Sequence, residues 1–291
     1  MDRQPVKFKS VTLTYNQGST LAKTAVKQVD LTIQPGSLTM VVGPTGSGKS
    51  SLLYLLDGLR RPTSGQLQMG KLKIDPNSSD ASLSQWRQHI GFVFQFPESQ
   101  LFAETVLADI EFGPLNQGMI TEQAEKRARR ALHTVGLSQD LASRSPFTLS
   151  GGQKRRVAMA GVLAMNYQLL LLDEPLSGLD PDGKHYLAKL LGHLKKYGKT
   201  VLLITHDMEL ATLADEVIVM NHGEIIADRP PERVFADPDL LANNDLTMPP
   251  AVKMTHQLRQ DGVHLSKKAP MSLDALAAEL SPLLKERESN E

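Results

Sequence analysis

The glycine-rich segment Gly43–Ser50, GPTGSGKS, has the residue types and the spacing of a phosphate-binding loop. Its glycines let the backbone curl so that successive N–H groups point at a phosphate, and Lys49 adds a positive charge. The Ser50 hydroxyl is suited to binding Mg²⁺. An apolar run precedes the loop and an apolar helical run follows it, as this motif requires. The residues expected to bind a nucleotide are Gly43, Pro44, Thr45, Gly46, Ser47, Gly48, Lys49, Ser50 and Ser51.

Two acidic residues, Asp173 and Glu174, follow the apolar run LLLLD at Leu169–Asp173. A carboxylate at the tip of a strand can hold the Mg²⁺ that accompanies a bound nucleotide. Glu174 is then positioned to polarise a water, which makes it the candidate general base. An acidic pair after a strand is common, and the phosphate loop is what gives this pair its significance.

A second anion site is predicted within TLSGGQKRRVAMAGVLA, residues 148–164, where a serine and two glycines open a helical stretch. The bare N–H groups and the positive dipole end of a helix N-terminus favour an anion. The candidate ligands are Ser150, Gly151, Gly152 and Gln153. Their separation from Gly43–Ser50 raises the question of which anion each site holds.

Three further candidates end or follow apolar runs: Tyr15, Gln95 and His206. Alone, Gln95 and His206 are as consistent with structural polar residues as with catalytic ones. Their order along the chain relative to the other motifs favours catalysis, with Gln95 also a metal ligand. Tyr15 either packs as an ordinary aromatic or stacks on adenine, a contact that contributes about 1–3 kcal/mol.

The elements that must position these residues have the pattern of an α/β fold. Continuous apolar runs are typical of strands that are covered on both faces, as in a parallel sheet. Alternation at Val6–Tyr15 and Ala25–Ile33 instead predicts an antiparallel pair. The remaining expected strands are Leu38–Val42, His89–Gln95, Leu169–Asp173, Thr200–Thr205 and a hairpin over Glu216–Asp228 that turns at Asn221–Gly223.

Helices dominate two regions, residues 96–165 and residues 229–291. In the first, ITEQAEKRARRALHTVGL has apolar residues at helical spacing, and Gly136 is suited to ending the helix. Its charges favour a solvated face over a partner surface. In the second, Leu273, Leu276, Leu280, Leu283 and Leu284 would form one stripe, which Pro282 is expected to break or kink.

The composition indicates a soluble globular protein of 291 residues, with 41% hydrophobic and 22% charged residues. A formal net charge of zero argues against a general nucleic-acid binder. The absence of cysteine excludes disulfides, iron–sulfur clusters and Cys-based zinc sites. Neither a secretory signal nor a membrane-spanning apolar run is evident. We therefore expect a cytoplasmic protein whose membrane connection comes through a partner.

Together these motifs resemble an ATP-binding cassette (ABC) ATPase. The resemblance rests on Gly43–Ser50, Gln95, LSGGQ at Leu149–Gln153, LLLLDEP and SGLD at Ser177–Asp180, together with His206. It implies a P-loop NTPase of ABC type with a RecA-like core, an N-terminal antiparallel β-subdomain and an inserted helical subdomain. The ABC domain would span residues 1–228, followed by a small C-terminal helical extension at 229–291.

The resemblance also answers the question of two anion sites. In this family two cassettes dimerise head to tail, and each ATP lies between one chain's phosphate loop and the other's LSGGQ. Ser150, Gly151 and Gly152 would therefore contact ATP that is bound to a partner, and Asp180 would join the nucleotide-binding set. ATP and Mg²⁺ are the implied ligands.

A closer resemblance, to energy-coupling factor transporter ATPases, is carried by FQFPESQLF at Phe94–Phe102, by LSGGQKRRVAMAGVLA and by the segment NQGSTLAKTAVKQVDL after Tyr15. The chain looks most like the second, A-prime type of ATPase subunit in that class, and its C-terminal extension would serve ATPase pairing. The implied function is to power uptake of vitamins or other micronutrients from the cytoplasmic face of the membrane. The implied partners are a paralogous ATPase, a transmembrane coupling subunit and a substrate-binding membrane subunit.

Two alternatives stay open at this point. The chain could be the ATPase of another importer, such as a cobalt or nickel system. It could also be a cytosolic cassette ATPase working in DNA repair, ribosome handling or cluster assembly. The neutral charge, the single cassette and the lack of long heptad repeats speak against the DNA-associated types.

Overall fold

Two β-sheets, with helices packed around them, form the computed structural model, which describes residues 4–165, 167–175, 181–265 and 269–288. The strands are β1 (Val6–Tyr15), β2 (Lys23–Ile33), β3 (Leu38–Val42), β4 (Ser64–Met69), β5 (Leu72–Ile74), β6 (Ile90–Val93), β7 (Leu169–Asp173), β8 (Thr200–Ile204), β9 (Glu216–Asn221) and β10 (Glu224–Arg229). The α-helices are α1 (Lys49–Leu56), α2 (Asp80–Arg87), α3 (Val106–Asn116), α4 (Thr121–Thr134), α5 (Gly151–Ala164), α6 (Pro181–Lys196), α7 (Met208–Ala211), α8 (Pro231–Phe235), α9 (Pro238–Asn243), α10 (Pro250–Gln260) and α11 (Leu273–Glu288).

The larger sheet has six strands in the order β10-β9-β3-β8-β7-β6. The pairs β9–β3, β3–β8, β8–β7 and β7–β6 are all parallel, and only β10 runs antiparallel to its neighbour. Every residue of β3, β6, β7 and β8 is buried, as expected for strands that are covered on both faces. The expected parallel sheet and α/β class are confirmed.

The smaller sheet is antiparallel and has the order β2-β1-β4-β5. Its β1–β2 pairing follows the sequence prediction, whereas β4, β5 and α2 were not predicted. The buried side chains of this sheet form one core with α1 and with one face of the larger sheet. Trp86 of α2 fastens that core, because its Nε1–H donates to the Leu56 carbonyl at 2.6 Å.

A helical region lies between β6 and β7 in the chain and contains α3, α4 and α5. The expected core positions Ala124, Ala128 and Ala131 of α4 are buried. Gly136 follows the end of α4 with a φ of 67°, the left-handed conformation that favours glycine after a helix. The strand predicted at His89–Gln95 is shorter, because β6 leaves the sheet after Val93, the last residue paired with β7.

The region after β10 contains the short helices α8 and α9 and the longer α10 and α11. Of the two expected effects of Pro282, a break or a kink, the structure excludes the break, because α11 continues through this residue. Proline's fixed φ is itself helical, so its cost is confined to one lost hydrogen bond and crowding with the preceding turn. Leu276 of the expected stripe is buried, but Leu273 is 47% exposed. No described helix is both long and apolar enough to cross a bilayer.

Candidate active site

The order of the central strands brings the phosphate loop and the acidic pair to one edge of the sheet. β3 and β7 flank β8, and Val41 and Asp173 both pair with Ile204. The loop that follows β3 and the carboxylate that ends β7 therefore emerge side by side. The Glu174 N–H donates to the Ile204 carbonyl at 3.2 Å, which ties the next residue to the same strand.

The phosphate loop is packed tightly against two neighbouring backbone segments. A Cβ on Gly43 would lie 2.1 Å from the Met220 carbonyl oxygen, and one on Gly48 would lie 2.2 Å from that of Ala25. The Gly223 N–H donates to the Ser47 carbonyl at 2.9 Å. Glycine is thus required at two positions by close backbone approach as well as by a positive φ.

Lys49 begins α1 and folds back over the loop that precedes it. Its Nζ donates to the carbonyl oxygens of Gly43 at 2.8 Å and Pro44 at 3.0 Å. Burial lowers the pKa of Lys49, while the charges of Glu174 and Asp173 oppose that shift. The Lys49 ammonium group is held inside the loop, where a bound phosphate could replace the two carbonyls as its hydrogen-bond acceptor.

A cavity of about 600 Å³ opens beside Lys49 and is lined by eight of the predicted site residues. It is lined by Thr45, Gly46, Lys49, Ser50, Gln95, Asp173, Glu174, Lys184, Ile204, Thr205, His206 and Asp207. Burial raises the pKa of Asp173, against the effects of Lys49 and of a hydrogen bond from Ser50. The hydroxyl, carboxylate and amide oxygens of Ser50, Asp173 and Gln95 are hard donors, and this donor chemistry fits Mg²⁺.

Glu174 and His206 face each other across this cavity, with the imidazole Nε2 3.0 Å from the carboxylate Oε1. Burial raises the pKa of Glu174. Desolvation, and then the charge of Lys49, lower the pKa of His206. A neutral imidazole that donates from Nε2 orients the carboxylate without neutralising it. Glu174 also has a φ of 47°, a conformation that is uncommon for a residue other than glycine.

Tyr15 lies beside the first turn of α1, the helix that follows the phosphate loop. Its side chain is half-buried, and its hydroxyl is 3.2 Å from the Ser51 hydroxyl. The structure therefore joins Tyr15 and Ser51, two of the predicted nucleotide contacts.

The second predicted anion site forms the N-terminus of α5 and does not line this cavity. Ser150 and Gln153 form a capping box, because the Ser150 hydroxyl accepts from the Gln153 N–H at 3.3 Å and the Ser150 N–H donates to Gln153 Oε1 at 3.1 Å. Gly151 and Gly152 are exposed. Asp180 lies outside the described residues.

Comparison with known proteins decides the family. Residues 26–177 match the family model described as ABC transporter. The chain is 44% identical over 282 residues to the energy-coupling factor transporter ATP-binding protein EcfA2 of Ligilactobacillus salivarius, covering 96% of this chain and 97% of the relative. It is 46% identical to the EcfA2 of Lactiplantibacillus plantarum, covering 94% and 93% of the two chains. The chain belongs to the ABC transporter family, among the energy-coupling factor transporter ATP-binding proteins.

Solved structures agree with this assignment of the cassette. CbiO1 of Clostridium perfringens, part of the ABC transporter complex CbiONQ, aligns with a TM-score of 0.73 at 32% identity, covering 89% of this chain and all of that one. The dimeric ABC cassette MJ0796, in a post-hydrolysis state with ADP and phosphate, aligns with a TM-score of 0.69 at 35% identity. That alignment covers 78% of this chain and 98% of MJ0796.

The cassette site includes residues that the sequence analysis missed. Lys184 and Asp207 line the cavity and pair with each other at 3.2 Å. Arg155 of α5 is buried and forms a forked contact with Glu98, at 3.2 Å to each carboxylate oxygen. The same Nη2 of Arg155 that donates to Glu98 Oε1 also donates to the Gln95 carbonyl at 3.4 Å. No local sequence pattern predicts these pairs, because the two members of each pair are far apart in the sequence.

The segment that follows Gln95 in the cassette is divided between surface and core. Phe96 and Phe102 are 54% and 58% exposed, and Phe102 packs edge-to-face on the partly exposed Phe112 at 4.7 Å between ring centroids. Leu101 is buried in the main core. The apolar surface of this segment therefore consists of Phe96 and Phe102, whereas Leu101 is part of the core and contributes to stability.

The close packing of the phosphate loop predicts unequal effects of alanine at two of its glycines. Gly48→Ala adds a Cβ where a backbone carbonyl already lies, whereas Gly46→Ala meets no atom within 4 Å and suffers only its positive φ of 81°. That φ alone costs about 1–2 kcal/mol. We expect Gly48→Ala to lower the Tm further and to weaken ATP binding more than Gly46→Ala, by thermal unfolding and nucleotide titration. Equal effects of the two substitutions would contradict the packing argument.

Proposed function

We propose that this chain is the ATP-hydrolysing subunit of an energy-coupling factor importer and works as one half of a pair of cassettes. The observation that carries the proposal is the convergence of Lys49, Ser50, Asp173, Glu174 and His206 on one cavity. This set contains a phosphate-binding cation, hard oxygen donors and an oriented base, which are the parts that phosphoryl transfer to water needs. The ABC family and the EcfA2 relatives support ATP as the nucleotide.

The first step is phosphate binding by the loop. A triphosphate would take the place of the Gly43 and Pro44 carbonyls as the partner of the Lys49 ammonium. Close packing already holds the loop backbone in its curled conformation, so little further ordering is needed when ATP binds. The adenine of ATP would stack on Tyr15, whose hydroxyl contacts Ser51 in the first turn of α1.

Mg²⁺ would be held by Ser50 and Asp173, with Gln95 as a further oxygen ligand. When bound there, the ion would offset the negative charge that develops on the phosphate groups. Burial raises the pKa of Asp173, and Lys49 and Ser50 oppose that shift; a bound cation would further favour the charged carboxylate that such a site requires.

The second step is attack by water, with Glu174 as general base. Its carboxylate is held by His206 at 3.0 Å and faces the cavity that contains the phosphate loop. Burial raises the pKa of Glu174, which makes this carboxylate a stronger base. His206 would orient the carboxylate. Gln95 lines the same cavity, where its amide could contact the water or the γ-phosphate.

The cassette pair would complete each site with α5 of the opposite chain. Ser150 and Gln153 already satisfy each other in the capping box, so the exposed N–H groups of Gly151 and Gly152 are the donors left for a γ-phosphate. The dimeric, ADP- and phosphate-bound MJ0796 cassette supports this arrangement. We propose a paralogous ATPase as the partner, with residues 229–291 taking part in pairing.

The membrane partners would be a transmembrane coupling subunit and a substrate-binding subunit for a vitamin or other micronutrient. This assignment places the chain at the cytoplasmic face of the membrane, and the EcfA2 relatives support it. The exposed Phe96 directly follows Gln95, and the exposed Phe102 lies seven residues after it. These two rings would supply the apolar surface for the coupling subunit. When Gln95 loses its contact with the γ-phosphate, the change would be transmitted through this segment to the coupling subunit in the membrane.

Replacing the proposed base tests the mechanism directly. Glu174→Gln keeps the shape but removes the base, so kcat should fall by about 10²–10⁴ while ATP affinity stays within about twofold. Steady-state ATPase assays on the cassette pair, beside nucleotide titration, provide the measurement. The matched control is Glu209→Gln, an exposed residue of α7 outside the cavity. Wild-type turnover by Glu174→Gln would reject the assignment.

Charge at the start of α5 tests whether that helix acts on the partner's ATP. Gly151→Glu has room, since nothing lies within 4 Å of the added Cβ, and an acidic first turn favours the helix itself. The carboxylate should instead repel a γ-phosphate in the paired state. We expect monomer ATP binding to be retained and ATP-driven pairing, measured by light scattering, to be lost.

Gly151→Gln, similar in size but neutral, isolates the effect of charge, and Lys49→Ala should instead weaken binding within the monomer. Normal pairing of Gly151→Glu, or loss of its monomer binding, contradicts action on the partner's nucleotide.

The coupling surface is tested at Phe102, because Leu101 is a core residue. Phe102→Glu should abolish capture of the membrane subunits and substrate uptake, while ATPase activity of the soluble pair stays near wild type. A pull-down and a vesicle uptake assay give the readouts. Leu115→Glu, a partly exposed change at the far end of α3, is the control. Normal uptake with folded Phe102→Glu rejects this surface.

A further inference from the structure

Arg60 contacts the aromatic ring that the proposed function assigns to the nucleotide base. Its guanidinium carbon lies over the Tyr15 ring, 5.6 Å from the centroid, within the range of a cation–π contact. Tyr15 is thus held at two points, by Ser51 at its hydroxyl and by Arg60 at its ring. Arg60 follows the end of α1, the helix that begins with the phosphate-binding Lys49.

The backbone that carries Arg60 is fixed by several hydrogen bonds. Its own N–H donates to the Tyr54 carbonyl at 3.1 Å. Just before it, the Leu56 carbonyl accepts from the Trp86 indole and the Gly58 carbonyl accepts from Arg87 at 3.1 Å. The chain direction between α1 and Arg60 is therefore set by α2, and the side chain starts from a rigid position.

The side chain of Arg60 has a different environment from that of its neighbour Arg61. Arg61 donates to the Ser78 carbonyl at 2.7 Å and pairs with Asp80. Among the described residues, Arg60 pairs with no carboxylate, and the Tyr15 ring is its side-chain contact. Two adjacent arginines thus have separate tasks, with Arg61 fastening a loop and Arg60 facing the aromatic ring.

We propose that Arg60 is a positioning residue for ATP, acting through Tyr15. The guanidinium covers one face of the phenol ring and fixes its plane, and the opposite face receives the adenine. This inference rests on the proposed function, since it assumes that Tyr15 stacks on the base. Arg60 is not among the residues that line the cavity beside Lys49 and Glu174, so we expect it to act on ATP affinity and not on the chemical step.

The test is a kinetic comparison of single and double variants of the assembled ATPase pair. Arg60→Met keeps the length of the side chain and removes the charge. We expect KM for ATP to rise about two- to fivefold, the change that ~0.5–1 kcal/mol of ring contact produces, with kcat unchanged. Arg60→Lys should recover part of the loss, and Arg61→Met should leave KM unchanged.

A double-mutant cycle separates action through Tyr15 from direct contact with ATP. The effect of Arg60→Met should vanish in a Tyr15→Ala background and persist in Tyr15→Phe, which keeps the ring. An undiminished effect in Tyr15→Ala, or no KM change in Arg60→Met, overturns the inference. If Tyr15→Ala itself leaves KM unchanged, the base-stacking assignment fails first, which distinguishes the two failures.

Discussion

Parallel pairing of β3, β8 and β7 is the constraint on which the rest of the site depends. Because Val41 and Asp173 share Ile204 as their partner, a slip of one residue along β8 would move the phosphate loop away from the acidic pair. Such a slip would also exchange the two faces of a strand that is buried on both. Hydrophobic burial of the three strands thus sets the spacing of polar groups that contribute little to stability themselves.

Tight backbone packing then turns this edge into a phosphate site. Gly43 lies against the carbonyl of Met220 in β9, and Gly48 lies against that of Ala25 in β2. The loop is therefore braced by both sheets, the larger one through β9 and the smaller one through β2. The antiparallel sheet holds Tyr15 at the end of β1 and braces the loop that binds phosphate, so base and phosphate contacts share one scaffold.

Sequence could predict the elements and site residues whose signals are local. Uninterrupted apolar runs located the central strands, and the phosphate motif needed only its flanking strand and helix. β4 and β5 lacked such a signal, because SGQLQM and LKI are short and half polar and become strands by pairing with β1 and each other. The exposure of Phe102 beside buried Leu101, and the Arg155–Glu98 pair, depend on which helices pack together, and no single sequence window contains that information.

The two predicted anion sites differ in how their donors are held. In the phosphate loop, Lys49 donates to two of the chain's own carbonyls, which a bound phosphate would replace as its partners. At the start of α5, the capping box pairs Ser150 with Gln153, and the two glycines between them are exposed. Arg155, on the same helix, reaches back to Glu98 and to the Gln95 carbonyl. A shift of the Gln95 backbone in one proposed site would therefore disturb a contact of the buried Arg155, which lies on the helix proposed to serve the other site.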